Sequence, residues 1–107
     1  MATEEPLTVF DDGTLHIDFV QEKVTIDREP VNLKPPEYGL LATLALHRGE
    51  VFTPEKLMEL FAGDSDSTPD TVAYTLMCVR TKLGQKGAGK LIETVRGFGV
   101  VYRSPNR

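Results

Sequence analysis

The sequence has one cysteine, two histidines and no tryptophan among its 107 residues. A single thiol, Cys78, cannot form an internal disulfide, so a fold held by disulfides is excluded and a reducing, intracellular compartment is favoured. The histidines, His16 and His47, are far apart in the sequence and make no recognisable metal-binding pattern. We therefore expect no metal site and a fold that depends on one hydrophobic core.

Long apolar segments are missing as well. No run approaches the roughly 20 residues that are needed to span a membrane. The first ten residues, MATEEPLTVF, carry acidic side chains where a signal peptide carries basic ones. The sequence thus predicts a cytoplasmic protein that does not bind membranes. We expect one domain over residues 7–104, preceded by a tail or linker remnant (1–6) and followed by a short tail (105–107).

A catalytic set of residues is also absent. Gly84, Gly89 and Lys90 match the spacing of a phosphate-binding loop, but Leu91 stands where magnesium binding needs Ser or Thr. The segment also follows a predicted helix, whereas a phosphate-binding loop follows a strand. Neither histidine can be placed beside Cys78 as the base that a nucleophilic cysteine requires. We predict neither an enzyme nor a cofactor.

Basic residues are scarce in the first two thirds of the chain and dominate the last third. Residues 1–70 contain 15 acidic and 5 basic side chains, a net charge of −10, whereas residues 71–107 contain one acidic and 7 basic side chains, a net charge of +6. This asymmetry is expected of a protein that presents one cationic end to a polyanion. A solvated basic surface without a partner is the alternative.

The first third of the chain alternates apolar and polar residues, which is typical of strands. The alternation covers residues 7–9, 15–19, 23–27 and 31–33, with the turn-forming sequence Asp-Asp-Gly-Thr between the first two runs. We expect a small antiparallel sheet of three or four strands.

Helical patterns follow the predicted strands. Pro35-Pro36 opens a first helix, which His47-Arg48-Gly49 ends. Thr53-Pro54-Glu55 starts a second helix, which continues through Phe61. The sequence thus predicts two short helices before an acidic, polar loop.

A third helix is predicted from Thr68 to Leu83. Thr68 suits the N-terminal cap, and Gly84 follows the last periodic residue. Apolar residues recur at the spacing of a single buried stripe: Val72, Leu76, Val79 and Leu83. The opposite face carries a different set of side chains: Asp70, Tyr74, Met77, Cys78 and Thr81.

The chain ends in two β-rich runs, 91–96 and 100–103, joined by Gly97-Phe98-Gly99, which is typical of a β-hairpin. A helix fits the major groove of B-DNA, and an arginine at a hairpin tip can enter the minor groove. Two helices followed by a basic hairpin therefore indicate a DNA-binding unit.

Four segments carry a resemblance to a known family: VNLKPPEYGLLATL (31–44), VFTPEKLMELF (51–61), DTVAYTLMCVRTKL (70–83) and LIETVRGFGVVYR (91–103). Over residues 7–103 the chain resembles the winged-helix effector domain of OmpR/PhoB response regulators. The T-V-R-G-x-G core of the last segment is its most specific part. The resemblance implies an α+β fold, a winged helix-turn-helix with an N-terminal antiparallel sheet, three helices and a C-terminal β-hairpin wing.

The resemblance also implies a function, that of a DNA-binding transcriptional regulator in a two-component phosphorelay. Such domains bind double-stranded DNA, usually as a head-to-tail homodimer, and their loop corresponding to Ala62 to Ser67 often contacts RNA polymerase. Family members usually carry a receiver domain with a phosphorylatable aspartate, and nothing in these residues corresponds to it. The sequence fits either a detached effector domain or a single-domain relative.

The resemblance and the pattern of the third helix together predict seven DNA-binding residues. Tyr74, Thr75 and Cys78 are expected to face bases. Arg96 is expected to reach the minor groove from the wing. The DNA backbone is expected to be contacted by Thr71, Arg80 and Lys82.

The third helix departs from the family at several positions. Family members usually have basic residues where this chain has Asp70, Met77, Cys78 and Thr81, so we expect fewer phosphate contacts and a weaker dependence of affinity on salt. The alternative function is a winged-helix module that has lost specific DNA binding and docks on RNA polymerase or another regulator. The low basicity of the helix face favours this alternative, and the cationic last third favours DNA.

Overall fold

A computed structural model of the protein describes residues 8–59 and 69–103. The chain begins with a four-stranded antiparallel sheet in which neighbours in sequence are neighbours in space. Its strands are β1 (Val9–Asp11), β2 (Leu15–Asp18), β3 (Lys23–Ile26) and β4 (Glu29–Val31). The predicted antiparallel sheet is thereby confirmed. The predicted tails, at residues 1–6 and 105–107, lie outside the described residues, as does residue 7, where the predicted domain begins.

The sheet buries one of its two faces. Leu15 pairs with Ile26, and Ile17 with Val24, and all four side chains are buried. His16 lies on the other face, half-buried, with its Nδ1 3.2 Å from Asp11 Oδ2. The period-two alternation therefore places the apolar set towards the helices.

The first two helices begin where the prolines predict. α1 spans Pro35–Leu46, and α2 begins at Pro54 and is helical to Leu57. The Thr53 hydroxyl accepts a hydrogen bond from the Lys56 amide (3.1 Å), which caps the start of α2. The predicted end of this helix at Phe61 and the loop Ala62 to Ser67 lie outside the described residues.

The third helix, α3 (Pro69–Gln85), extends two residues beyond its predicted end. Gly84 does not end it. Gly87 takes the left-handed conformation instead (φ +79°), and the Ala88 amide donates to the Leu83 carbonyl at 2.8 Å. A glycine in this conformation is the usual residue just past a helix end, so the sequence pattern was correct and the choice among nearby glycines was wrong.

The hairpin consists of β5 (Ile92–Val95) and β6 (Gly99–Tyr102), and a short 3-10 turn (Gly89–Leu91) precedes it. Tyr102 is fully buried, and its hydroxyl donates to Asp12 Oδ2 at 2.6 Å. Burial and this hydrogen bond raise the pKa of Tyr102. Strand β6 is thus fastened to the first turn of the N-terminal sheet.

One hydrophobic core joins the sheet, the helices and the hairpin. It includes side chains from every one of these elements: Leu15, Ile26, Leu40, Leu44, Leu57, Val79, Leu83, Ile92 and Tyr102. This arrangement of sheet, helices and C-terminal hairpin is the predicted winged helix. It leaves one side of α3 and the tip of the hairpin exposed.

Candidate nucleic-acid interface

Helix α3 buries a slightly different stripe from the predicted one. Val72, Val79 and Leu83 are buried as expected, but Leu76 is only partly buried and Thr75 is 6% exposed. The Thr75 hydroxyl donates to the Thr71 carbonyl at 2.9 Å, so it can be buried without losing a hydrogen bond. The prediction that Thr75 faces bases does not agree with this buried position.

The outward face of α3 consists of residues at helical spacing that are exposed or, for Cys78, half-buried: Asp70, Thr71, Ala73, Tyr74, Met77, Cys78 and Thr81. The largest of these side chains are well exposed, Tyr74 at 64% and Met77 at 56%. A hydrogen bond with the thiol of Cys78 raises the pKa of Tyr74. Within the described part of α3, this face carries no basic side chain.

Arg80 does not lie on the outward face. Its guanidinium donates to Thr94 Oγ1 (2.8 Å) and to the Ile92 carbonyl (3.1 Å), both in β5. Two hydrogen bonds from one planar group hold α3 and the hairpin together. Arg80, predicted to contact the DNA backbone, therefore connects the helix to the hairpin in this structure.

Lys82 is also engaged inside the protein. Its Nζ lies 2.6 Å from Glu37 Oε1, and Glu37 is 5% exposed. The same carboxylate oxygen accepts a hydrogen bond from the Lys34 amide (2.9 Å) at the start of α1. Burial raises the pKa of Glu37, but its hydrogen bonds with Lys82 and the Lys34 amide outweigh burial, so the pKa lies below its ordinary value. Lys82 thus joins α3 to α1.

Two further cations of the basic last third are paired with acids. Lys86 Nζ lies 3.3 Å from Glu29 Oε1, and Arg103 pairs with Glu93 across the hairpin. Lys90 and Arg96 are exposed, and neither forms an ion pair with any residue that the structure describes. Three of the seven basic side chains counted in residues 71–107 are therefore compensated by acids within the fold.

Arg96 occupies the turn of the hairpin, beside Gly97 and Phe98. The Phe98 amide donates to the Val95 carbonyl at 2.9 Å, and Gly97 takes the left-handed conformation (φ +82°) that the turn needs. Phe98 is 69% exposed. An open groove of about 490 Å³ separates this turn from α3, with Leu76 and Arg80 among its lining residues.

The hairpin is also fastened from the side of α2. Phe52 and Val100 exchange two backbone hydrogen bonds, of 2.7 and 2.9 Å. Gly99, next to Val100, has a φ of +147°, and a Cβ atom at this position would lie 2.0 Å from the Phe52 carbonyl oxygen. Only glycine allows the two backbones to approach this closely. The hairpin tip thus has a defined position relative to α3.

Two further features, a metal-binding cluster and a membrane-spanning helix, are absent from the described residues. In residues 8–59 and 69–103 there is no group of three or more His, Cys, Asp or Glu side chains that could hold a metal ion. None of the helices in the described ranges is long and apolar enough to cross a membrane. The outward face of α3 and the exposed hairpin tip remain the main candidate site.

A sheet, three helices and a hairpin that is fixed beside the last helix define the class of winged-helix domains. The family "Transcriptional regulatory protein, C terminal" matches residues 28–102. The response regulator ArlR of Staphylococcus saprophyticus is 37% identical over 82 residues, which cover 76% of this chain and 37% of ArlR. The transcriptional regulatory protein PrrA of Mycobacterium tuberculosis is 33% identical over 107 residues, covering 95% of this chain and 43% of PrrA.

A solved structure agrees with these matches. The DNA-binding domain of RstA from Klebsiella pneumoniae, in complex with the RstA box, superposes with a TM-score of 0.78 at 26% identity and covers 92% of this chain and 99% of that domain. The chain belongs to the family of C-terminal DNA-binding domains of OmpR/PhoB response regulators. It spans less than half the length of the curated relatives ArlR and PrrA. The comparisons do not favour the alternative of a protein-interaction module.

Proposed function

We propose that this chain binds double-stranded DNA as the effector domain of a transcriptional regulator, with α3 in the major groove and the hairpin as a wing in the minor groove. The main support is the position of Arg96. It is an exposed cation at the tip of a hairpin, and contacts of Arg80 and Phe52 hold this hairpin beside α3. An arginine held at a fixed tip suits the negative potential of a narrow minor groove.

Apart from Arg96, the DNA-binding residues predicted from the sequence divide into two groups in this proposal. Thr71, Tyr74 and Cys78 face the major groove, because all three belong to the outward face of α3. The second group does not reach the DNA: Arg80 and Lys82 hold α3 against the wing and α1, and Thr75 is buried with its hydroxyl bonded to the Thr71 carbonyl of the same helix. The proposed DNA contacts are therefore fewer than the sequence predicts.

A small number of free cations should give a shallow dependence of affinity on salt. Between residues 69 and 103, Arg96 and Lys90 are exposed and have no ion pair with a described residue, whereas the Arg80 guanidinium donates to Thr94 and Ile92. With about two phosphates neutralised by these elements, we expect a slope of log K against log salt near −2 per bound copy.

The test is selection of bound sequences from a pool of random duplexes, followed by titration of the selected duplex at several salt concentrations. Arg96→Ala and Tyr74→Ala should both weaken binding to the selected sequence. Lys23→Ala, which removes an exposed cation of the N-terminal sheet, is the matched control and should bind as the unmodified protein does. Folded protein that enriches no sequence and shows no salt dependence would contradict the proposal.

Three finer predictions stay with this proposal. A head-to-tail homodimer on DNA would appear as a direct repeat in the selected sequences. Contact with RNA polymerase is assigned to the loop Ala62 to Ser67, which lies outside the described residues. The third prediction is a cytoplasmic location, where the protein would meet its target DNA.

A further inference from the structure

The outward face of α3 lacks the side chains that usually read purines. Guanine is most often bound by Arg or Lys, and adenine by Asn or Gln, through paired hydrogen bonds in the major groove. From Asp70 to Thr81 this face contains none of these four residue types. The nearby cations, Arg80 and Lys82, are held by β5 and by Glu37. Paired hydrogen bonds to purines are therefore not available to this part of the helix.

The same face offers apolar contact area. Tyr74 and Met77 are among the most exposed large hydrophobic side chains that the structure describes, and exposed Ala73 precedes Tyr74 in the sequence. The feature of a major groove that apolar side chains recognise is the 5-methyl group of thymine. Arg96 at the neighbouring wing tip supplies the charge complementarity that identifies DNA as the occupant of this face.

We infer that α3 selects its DNA site through thymine methyl groups, which pack against Ala73, Tyr74 and Met77. The inference rests on the proposed function and adds the class of sequence that is read. The preferred half-site then has thymines at the positions that α3 covers. In this inference, specificity in the major groove arises from the fit between thymine methyl groups and the apolar side chains of α3.

Replacing thymine by deoxyuridine tests the inference, because it removes the methyl group and leaves the Watson–Crick and minor-groove edges unchanged. The substitution is made one thymine at a time in the duplex obtained by selection. We expect about fourfold weaker binding for each contacted methyl, the factor that corresponds to burial of one methyl group. Uracil outside the half-site should have no effect.

Protein variants distinguish the helix from the wing. In Met77→Ala the penalty for uracil should disappear at the thymine that Met77 contacts, whereas Arg96→Met should weaken binding and keep the penalty. Val20→Ala shortens a hydrophobic side chain of the sheet region that is 75% exposed, and should change neither affinity nor penalty.

Binding that is sequence-specific but indifferent to uracil would overturn this inference and leave the proposed function intact. A selected half-site without thymine would overturn it in the same way. Failure to bind any duplex would overturn both. Unchanged DNA affinity in Tyr74→Ala and Met77→Ala would also overturn the inference, and would point to a protein partner for this face.

Discussion

Helix α3 and the wing form the two parts of the proposed DNA surface, and they place their basic residues differently. The basic side chains of α3, Arg80 and Lys82, turn inward and join the helix to β5 and α1. The wing keeps Arg96 in solvent at its tip. One part thus uses positive charge to fix its own position, and the other presents it to a ligand. Positive charge in a DNA-binding domain can thus serve rigidity as well as affinity.

The largest effect is expected from a substitution that displaces the wing from its position beside α3. Gly99→Ala would put a Cβ 2.0 Å from the Phe52 carbonyl oxygen. Because two backbones must move apart, we expect a loss of about 3 kcal/mol in the free energy of unfolding, measured by urea denaturation, together with loss of DNA binding. Gly97→Ala is the control, since its left-handed φ costs only about 1 kcal/mol and nothing lies within 4 Å of the added Cβ. Equal effects of the two substitutions would contradict the assigned role of the Phe52 contact.

Lys82 should contribute to protein stability and not to the salt dependence of DNA binding. Lys82→Met leaves the buried Glu37 carboxylate without its ion-pair partner, so we expect about 2 kcal/mol less stability in urea denaturation. The salt dependence of DNA binding should not change, because Lys82 contacts no phosphate in this proposal. A slope reduced by about one, with stability unchanged, would show that Lys82 contacts DNA.

Acidification tests the same pair. Because the pKa of folded Glu37 is lowered, its ionised form stabilises the protein fully above its ordinary value of 4.5, and this contribution is lost as the pH falls below that value. Lys82→Met removes the strongest hydrogen bond that lowers this pKa. The variant should therefore lose less stability than the unmodified protein as the pH is lowered from above to well below 4.5, the ordinary value for this carboxyl.

Arg96, the exposed cation of the wing, should affect DNA affinity and leave stability unchanged. Arg96→Met should leave the free energy of unfolding within about 0.5 kcal/mol of the original, because Arg96 is exposed and has no ion pair within the described ranges. DNA affinity should fall about tenfold, and the salt slope should become shallower by about one. Lys23→Met, a matched exposed cation of β3, should alter neither quantity. Unaltered affinity in Arg96→Met would remove the wing from the proposed surface.

The smallest effect is expected where the two parts meet. Thr94→Val removes the hydroxyl that accepts from Arg80 and leaves the Ile92 carbonyl as the other acceptor. We expect about threefold weaker binding to the selected duplex, with the salt slope unchanged, since the contact orients the wing and neutralises no phosphate. A changed slope would mean that Arg80 reaches the DNA backbone after all.

Much of the fold could be predicted because its signals are local. The alternation at Leu15 and Ile17, the prolines that begin α1 and α2, and the glycines of the wing each specify an element through nearby residues. The partners of the basic side chains could not be predicted from nearby residues. Lys82 and Glu37 are 45 positions apart in the sequence, and a charge count does not show which charges the fold brings together. The burial of Thr75 could not be predicted either, because a helical pattern treats it as polar, whereas its hydroxyl is satisfied by the helix itself.

The hydrogen bond between Tyr102 and Asp12 has a consequence for folding. These residues are 90 positions apart, so the contact closes a loop that contains most of the chain. Contacts of such high sequence separation form slowly, and we expect the wing to acquire its final position late. A chain that is still incomplete or only partly folded then has α3 without a positioned wing, and it competes poorly with finished molecules for a DNA site.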